Sequence, residues 1–516
     1  MTTLFEAYCA GDDAVLRFYA GAPDQARQAP QGDATWAQSL VEAVNVYQEH
    51  LGCSGRVHGS EHVIITGQQP AVFTGPLYTV YKAITAIKLA AHLEEAHGTR
   101  CVPIFWVASE DHDFDEARTT YALTKAHRLL PVSYEPEADL TGHSMNGVPL
   151  EQSLHEFADL LAEETPGSEF RDEIRTHLHE SLDAADSLSD WAARLMARLF
   201  RDTPLVIFSP HLPEARNLTA PIIERAIEQP LAVTAALNAA GNRLSELGYP
   251  PQLVKAEKEC AFFVYVGERR CKVVFENDRY RLPEVGRTYS ENEILSLLHE
   301  APERFSPNAA LRCVVQQSLF PVHAYVGGPG EIAYWGQLKE VFGLLNQPMP
   351  IIYPRARALL TTTKLNKLRK KLDLNPSDLV HGPEAVLDAV LRRVTKSAGH
   401  EQIGESRETV LGPLRELADA LQPLDATAYN MTQNLAERVA DELGRVERAM
   451  LRSDGQQVDA VRSQVERLCN ALMPERKPQE RVLSIWSYLF EYGWSLVDRL
   501  NRELDPDRFD VQEIEL

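Results

Sequence analysis

The segment from His62 to Glu116, HVIITGQQPAVFTGPLYTVYKAITAIKLAAHLEEAHGTRCVPIFWVASEDHDFDE, constrains the fold more than any other part of the chain. A short apolar run, Val63 to Thr66, stops at Gly67-Gln68-Gln69-Pro70, and a long helical pattern starts near Gly75-Pro76. A second apolar run, Val102 to Ala108, then delivers Glu110, Asp111, His112 and Asp113. Short apolar runs bounded by turn residues read as buried strands, and a helix between two of them makes a parallel crossover unit. A right-handed crossover brings both strand ends to one edge of the sheet. In open α/β sheets that edge binds ligands. The segment therefore predicts an enzyme whose polar groups gather beyond Thr66 and Ala108.

The rest of the chain extends this pattern. A helical segment runs to about Leu51, and Tyr121 to Pro149 reads as irregular or hairpin-like. Helices cover much of Glu151 to Phe200, and a third buried strand spans Pro204 to Phe208. Phe262–Val266 and Cys271–Phe275, separated by Gly267-Glu268, predict a hairpin insertion rather than a core layer. The core pattern resumes at VHAYVGGPGEIAYWGQLKEVF, a strand, a glycine turn and a helix, and Met349–Tyr353 adds another strand. Strands alternating with helices predict a doubly wound parallel α/β sheet.

Beyond Leu360 the chain becomes charged and helical. Val458, Val461, Val465, Leu468 and Leu472 repeat at heptad spacing, and Leu435, Val439, Leu443, Val446 and Met450 form a similar stripe. A break is expected at Ser453-Asp454-Gly455. Two readings fit: amphipathic helices packed on the core, or a projecting antiparallel coiled coil that dimerises, which the heptad seam favours. An aromatic-rich segment, Arg481 to Leu500, reads as a helix returning to the core. The expected domains are 1–375, a core with insertions at about 120–200 and 252–300; 376–475, the coiled coil; and 476–516, the returning segment.

Composition narrows the function. The chain has 516 residues, and its net charge of −22 opposes attraction to nucleic acid or anionic lipid, although a local basic pocket can still hold a small anion. Its seven cysteines form no CxxC pair, so neither a zinc ribbon nor a disulfide framework is suggested. The start, MTTLFEAYCAGDDAVLRFYA, is broken by Gly11, Asp12 and Asp13 and does not resemble a secretory signal. No apolar stretch is long enough to span a bilayer. A cytoplasmic protein without nucleic-acid or membrane partners is expected.

Several groups are candidates for chemistry, each with a plainer alternative. Gln68 and Gln69 can orient a polar substrate or merely satisfy their own turn. Gly75-Pro76 opens a helix whose N-terminus favours anions. Tyr78 and Lys82 share a helical face, and Lys82 is either an anion-binding cation or a surface lysine. In the run Glu110 to Glu116, carboxylates flank His112, which suits acid–base work by Glu110, His112 or Asp113, or Mg²⁺ held directly or through water. A run of charges is usually a solvated loop or helix start, and Asp115 and Glu116 fit that reading, whereas the strand-end position favours a role for Glu110, His112 and Asp113. The turn Gly327-Gly328-Pro329-Gly330-Glu331, with Tyr325 before it and Trp335 after it, has the same logic as Gly75-Pro76. Arg304, Asn308 and Arg312 precede that strand, and the arginines suit carboxylate or phosphate. No P-loop, GxSxG elbow, HExxH or dinucleotide fingerprint occurs in a suitable context.

Six stretches, ITGQQPAVFTGPLYTVYKAITAIKLA, PIFWVASEDHDFDE, ERFSPNAALR, HAYVGGPGEIAYWGQLK, MPIIYPRA and QERVLSIW, occur in this order and cover nearly the whole chain. Together they resemble the bacillithiol-biosynthesis cysteine-adding (BshC) family. The resemblance implies a Rossmann-like core with inserted segments, akin in shape to class I aminoacyl-tRNA synthetases and pantothenate synthetase, and a coiled-coil domain forming a homodimer. It also implies a ligase that joins the carboxylate of L-cysteine to the amine of glucosaminyl malate. Such a reaction needs an activated acyl group, so ATP is expected from energetics; no HxGH or KMSKS motif is present, and no motif points to ATP. Under this reading the two glycine turns hold phosphate or carboxylate, while Gln68, Gln69 and Tyr325 orient substrates. Glu110, His112 or Asp113 accepts the amine proton, and Lys82, Arg304 or Arg312 meets malate. The competing readings are a nucleotidyltransferase or metal-assisted phosphohydrolase using Glu110–Glu116, and a coiled-coil scaffold without catalysis.

Overall fold

The computed structural model describes residues 2–394, 398–451 and 455–516. These divide into two compact units, one built from Met1–Lys125, Leu130–Leu359 and Glu480–Ile514, the other mainly from Leu360–Gln479.

The larger unit is organised by a five-stranded sheet. Its strands are β1 (His62–Gln68), β2 (Cys101–Val107), β3 (Val206–Phe208), β4 (Val322–Gly327) and β5 (Ile351–Pro354). They lie in the order β5-β4-β1-β2-β3, and every pairing is parallel. This is the expected doubly wound Rossmann-like arrangement. From β1 the chain moves through β2 to β3 on one side, whereas β4 and β5 lie on the other, so the order reverses between β1 and β4.

Helix α1 (Tyr78–His97) crosses from β1 to β2 and ends where Gly98 adopts a left-handed φ of 64°. Residues of β1 alternate between two apolar layers. Val63 and Ile65 join one core, while Ile64 packs with Ala86, Leu89, Ala90 and Leu93 of α1 in the other. All five of β1's residues from Val63 to Gly67 are buried, as a strand covered on both faces requires. Each fully buried Val or Ile side chain contributes about 1.5–3 kcal/mol. Three further helices shape the carboxyl edge: α2 (Pro213–Glu228), α3 (Ala309–Leu319) and α4 (Pro329–Trp335).

The region around 252–300 departs from the expected hairpin. Strands Glu259–Val266, Arg269–Glu276, Arg279–Leu282 and Arg287–Tyr289, with Phe305–Pro307, make a second, antiparallel five-stranded sheet. Its Phe262, Val264, Val273 and Tyr280 belong to the same apolar core as Val63 and Ile104. It is a core layer after all, because its alternating apolar face has the main sheet's helices to pack on. The aromatic C-terminal segment also differs, forming two helices, Trp486–Tyr492 and Ser495–Glu503, broken at Gly493 with φ 68°. A Cβ there would meet the Phe170 ring at 2.9 Å, so the close approach as well as the dihedral requires glycine.

The smaller unit is largely helical. Helices Ala398–Leu421 and Ala426–Leu451 pack as a hairpin, and Gly455–Leu472 packs against Pro383–Val394. The heptad residues Val458, Val461, Val465, Leu468 and Leu472 are buried within this unit. Leu435 and Val446 of the upstream stripe are exposed. The side chain of Met450 and the Ser453-Asp454 link lie outside the described residues. Among the described residues no helix is long and apolar enough to cross a membrane.

Candidate active site

A cavity of about 360 Å³ opens at the carboxyl ends of β1 and β4, the point where strand order reverses. Of the residues singled out in the sequence, Gln68, Gln69, Tyr78, Lys82, Arg312, Tyr325, Gly328, Gly330 and Glu331 line it. They come from or adjoin five elements (β1, α1, α3, β4 and α4) and lie up to 263 positions apart in sequence, between Gln68 and Glu331. Gly67 permits this closure: a Cβ on it would lie 2.9 Å from the backbone oxygen of Trp106 on β2.

Lys82 is the centre of the polar network. It is buried at 2% exposure, so it is not a surface lysine. Its ammonium donates to Gly67 O at 2.9 Å and to Gln68 Oε1 at 2.9 Å, and pairs with Glu331 Oε2 at 2.5 Å. An ammonium has three donors, and all three are used. Burial lowers the Lys82 pKa, with Glu331 opposing it. Burial pushes the Glu331 carboxyl up, but Lys82 and the Gly328 N–H outweigh it and hold the group below its usual value. Glu331 Oε1 accepts from Tyr325 Oη at 2.6 Å, and Oε2 accepts from Gly328 N at 2.9 Å. Burial, then Glu331, raises the Tyr325 pKa far above an ordinary phenol, so it remains a donor.

Three arginines complete the lining. Arg312 on α3 bonds neutral groups, Gln316 Oε1 at 3.2 Å, Cys313 Sγ at 3.3 Å and Tyr334 Oη at 3.4 Å. Arg355, just past β5, makes a two-pronged pair with Glu480 at 2.9 and 2.8 Å, both side chains buried. Arg481 is exposed and also lines the cavity. Sequence reasoning missed Arg355, although it stands at a strand end within the quoted stretch MPIIYPRA. Arg481 stands likewise within QERVLSIW, but nothing local ties it to strands more than a hundred residues earlier.

The acidic run is placed differently from the expectation. Asp111 lines the cavity, and its Oδ1 accepts the backbone N–H groups of His112 at 2.7 Å and Asp113 at 3.1 Å. Glu110, His112 and Asp113 do not line it. Glu110 turns inward to a buried ion pair with Arg216 of α2, which also donates to Phe305 O at 2.7 Å. The Nδ1 of His112 lies 2.9 Å from Arg270 Nη1. Arginine can only donate, so Nδ1 must be the acceptor, and its lone pair is occupied. Burial, then the Arg270 charge, lowers the His112 pKa. Asp113 is exposed and takes part through its backbone, its N–H donating to Asp111 and its oxygen accepting from Gln69 Nε2 at 2.7 Å. The adjacent side chains of an irregular turn point in different directions, so neighbours in sequence were separated.

Other candidates fall outside the cavity or, at the second glycine turn, have their groups engaged within the fold. At Gly75-Pro76 the first free amide, Leu77 N, donates to Leu483 O at 2.8 Å, so this helix start is sealed by the C-terminal segment. At Gly327–Gly330 the Gly328 N–H is taken by Glu331, so the chain's own carboxylate occupies the expected anion position. Gly327 O accepts from Arg355 N at 2.9 Å and serves the turn. Arg304 donates to Tyr265 O at 3.3 and 3.2 Å. Asn308 caps α3 through Ala310 N at 3.1 Å and Leu311 N at 3.0 Å. Trp335 is buried, packing on the Tyr325 ring at 4.7 Å. Among the described residues no group of three or more His, Cys, Asp or Glu side chains gathers as a metal site.

Comparison with known proteins adds to this geometry. Residues 1–356 match the family model "Bacillithiol biosynthesis BshC, N-terminal Rossmann-like domain", and residues 358–516 match the BshC C-terminal coiled-coil domain. A protein of Salinibacter ruber named "Putative cysteine ligase BshC" is 32% identical, over 98% of this chain and 94% of its own length. Proteins of the same name from Symbiobacterium thermophilum and Prosthecochloris aestuarii are 31% and 30% identical, over 90% and 88% of this chain and 87% and 83% of their own lengths. The solved structure of a "putative arginyl t-RNA synthetase" from Campylobacter jejuni overlaps 86% of this chain and 98% of that chain at 9% identity, but its TM-score of 0.23 is too low to carry a fold argument.

Proposed function

The chain belongs to the BshC family of bacillithiol biosynthesis, and from that premise we propose that it is a ligase joining the carboxyl group of L-cysteine to the amine of glucosaminyl malate. The observation that carries the reading is the charge of the switch-point cavity. In a chain of net charge −22, four basic side chains (Lys82, Arg312, Arg355 and Arg481) and two carboxylates (Asp111 and Glu331) line one small space. Lys82 with Glu331 and Arg355 with Glu480 are already paired, which leaves Arg312, bonded to neutral groups, to meet an anionic substrate. Malate brings two carboxylates, and arginine binds such groups with two parallel hydrogen bonds.

Amide formation also needs a neutral amine. Both oxygens of Glu331 are engaged, whereas the Asp111 carboxylate holds only its own turn through Oδ1. In this proposal Asp111, rather than Glu110, His112 or Asp113, accepts the proton of the attacking ammonium group. ATP is the co-substrate that activates the cysteine carboxyl, with Mg²⁺ carried by its phosphates rather than by a protein cluster. Arg312 and Arg481 suit phosphoryl oxygens as well as malate. The enzyme works in the cytoplasm, as a homodimer joined through the helical unit; the exposed Val410 and Leu417, seven residues apart on one helix, support that part of the proposal.

The test is to incubate the purified protein with L-cysteine, glucosaminyl malate and ATP, and to follow the amide product by mass spectrometry. Product that needs all three supports the reading. Nucleotide turnover without cysteine would favour the nucleotidyltransferase alternative instead. Sedimentation of the protein with and without Leu417→Glu tests the dimer.

A further inference from the structure

Tyr78 stands on the first turn of α1 and lines the cavity. Its hydroxyl lies 3.3 Å from Gln68 Nε2. The direction of that hydrogen bond follows from the chemistry of Lys82. An ammonium only donates, so the Gln68 atom 2.9 Å from Lys82 Nζ must be the carbonyl oxygen Oε1. The Gln68 NH₂ is then the group facing Tyr78, and the phenol oxygen accepts from it. Glu331 holds Lys82 in this orientation from the other side. Burial, then the Glu331 charge, raises the Tyr78 pKa, so the phenol keeps its proton at neutral pH. A hydroxyl that accepts from Gln68 has its own O–H left to donate elsewhere. Among the described residues it donates no hydrogen bond, and the side chain borders the cavity.

We propose that the chain Glu331–Lys82–Gln68 fixes the polarity of the Tyr78 hydroxyl, so that its O–H stabilises the oxyanion formed during amide synthesis. This rests on the ligase reading above. The amine lone pair forms the new C–N bond at the carbonyl carbon of the cysteine acyl group, activated as a mixed anhydride with phosphate. The carbonyl π pair moves onto oxygen, and Tyr78 donates a hydrogen bond to that oxygen. When the pair returns, the C–O bond to the phosphate breaks and the phosphate leaves with its electrons, while the nitrogen proton passes to the general base. No proton leaves Tyr78. A donor aimed in advance at developing charge costs no reorganisation during the reaction, and losing one typically costs about 10²–10³-fold in kcat. Gln68 is a positioning residue in this scheme.

The test compares steady-state kinetics of wild type, Tyr78→Phe, Gln68→Glu and the double variant, with circular dichroism and thermal melts to verify folding. Tyr78→Phe removes only the hydroxyl and is expected to lower kcat about 10²-fold with little change in KM. A glutamate at position 68 would accept from Tyr78 as well as from Lys82, and so redirect the phenol proton away from substrate. Gln68→Glu is therefore expected to lower kcat similarly, and the double variant to be no slower than the worse single one. Effects that multiply in the double variant, or that appear in KM alone, would mean that residue 68 acts on substrate directly, and they overturn the proposal. So does a Tyr78→Phe enzyme with unchanged kcat. A wild type that forms no amide sinks the ligase reading and this inference together, whereas an active wild type with an indifferent Tyr78→Phe sinks this inference alone.

Discussion

Replacing Lys82 by Met keeps a straight side chain in its buried channel and removes the charge. Three acceptors lose their donor: Gly67 O, Gln68 Oε1 and Glu331 Oε2. Glu331 keeps Tyr325 and the Gly328 N–H, but no cation. Removing one partner of a buried ion pair costs about 3–5 kcal/mol. The Glu331 side chain is 20% exposed to the cavity, so water relieves part of this and the lower end, about 3 kcal/mol at pH 7, is expected. The pH dependence gives a sharper check. In the wild type the Glu331 pKa lies below 4.5, so the stability it contributes is present above 4.5 and is lost as pH falls through the lowered folded value. In Lys82→Met, burial is no longer outweighed, and the folded pKa rises above 4.5. Protonation then relieves the unpaired charge as the solution is acidified towards 4.5. The gap between the two proteins should narrow on acidification, with a limiting slope of about 1.4 kcal/mol per pH unit. Urea unfolding followed by the fluorescence of the buried tryptophans at pH 7 and pH 5 measures it, and Lys82→Met/Glu331→Gln should recover most of the loss. A gap under about 1 kcal/mol at pH 7, or one that does not change with pH, would refute an ionised, coupled pair.

Glu480→Ala leaves Arg355 charged and buried and should cost about 3–5 kcal/mol in urea unfolding, whereas Arg355→Met/Glu480→Leu should be nearly neutral to stability while raising KM. Asp111→Asn keeps the Oδ1 acceptor of its turn and removes the base; kcat for ligation should fall about 10²–10⁴-fold, with a much smaller loss for His112→Ala. Gly67→Ala places a methyl 2.9 Å from the Trp106 backbone oxygen, which cannot swing aside as a side chain could, so about 1–3 kcal/mol of stability should be lost in thermal or urea unfolding.

Much of the architecture was legible because its signals are local. Val63–Thr66 and Val102–Ala108 are short apolar runs ended by turn residues, and the helix between them forces a parallel crossover, whatever the rest of the chain does. The antiparallel sheet of 259–307 was under-read because its short strands look alike whether they stand out as a hairpin or pack on a core. Only the apolar contacts of Phe262, Val264 and Val273 decide between these. The C-terminal aromatic segment read as one helix because Gly493 alone does not announce a break; the Phe170 ring packed against it does.

For the site, the sequence by itself determined which strand ends bear polar side chains, and Gln68, Lys82, Tyr325 and Glu331, which that pattern marks, line one cavity. Tertiary structure decided which way each side chain faces and what it meets. Asp111 reaches the cavity while Glu110, one residue earlier, is drawn to Arg216, more than a hundred positions away. Lys82 became a buried hub because α4, which follows β4, supplies Glu331 beside it, and Arg355 and Arg481 arrived from distant segments. Strand ends follow from short-range pattern, which a linear chain displays. Ion pairs, and hence burial, charge state and hydrogen-bond polarity, depend on partners that folding alone brings within 3 Å.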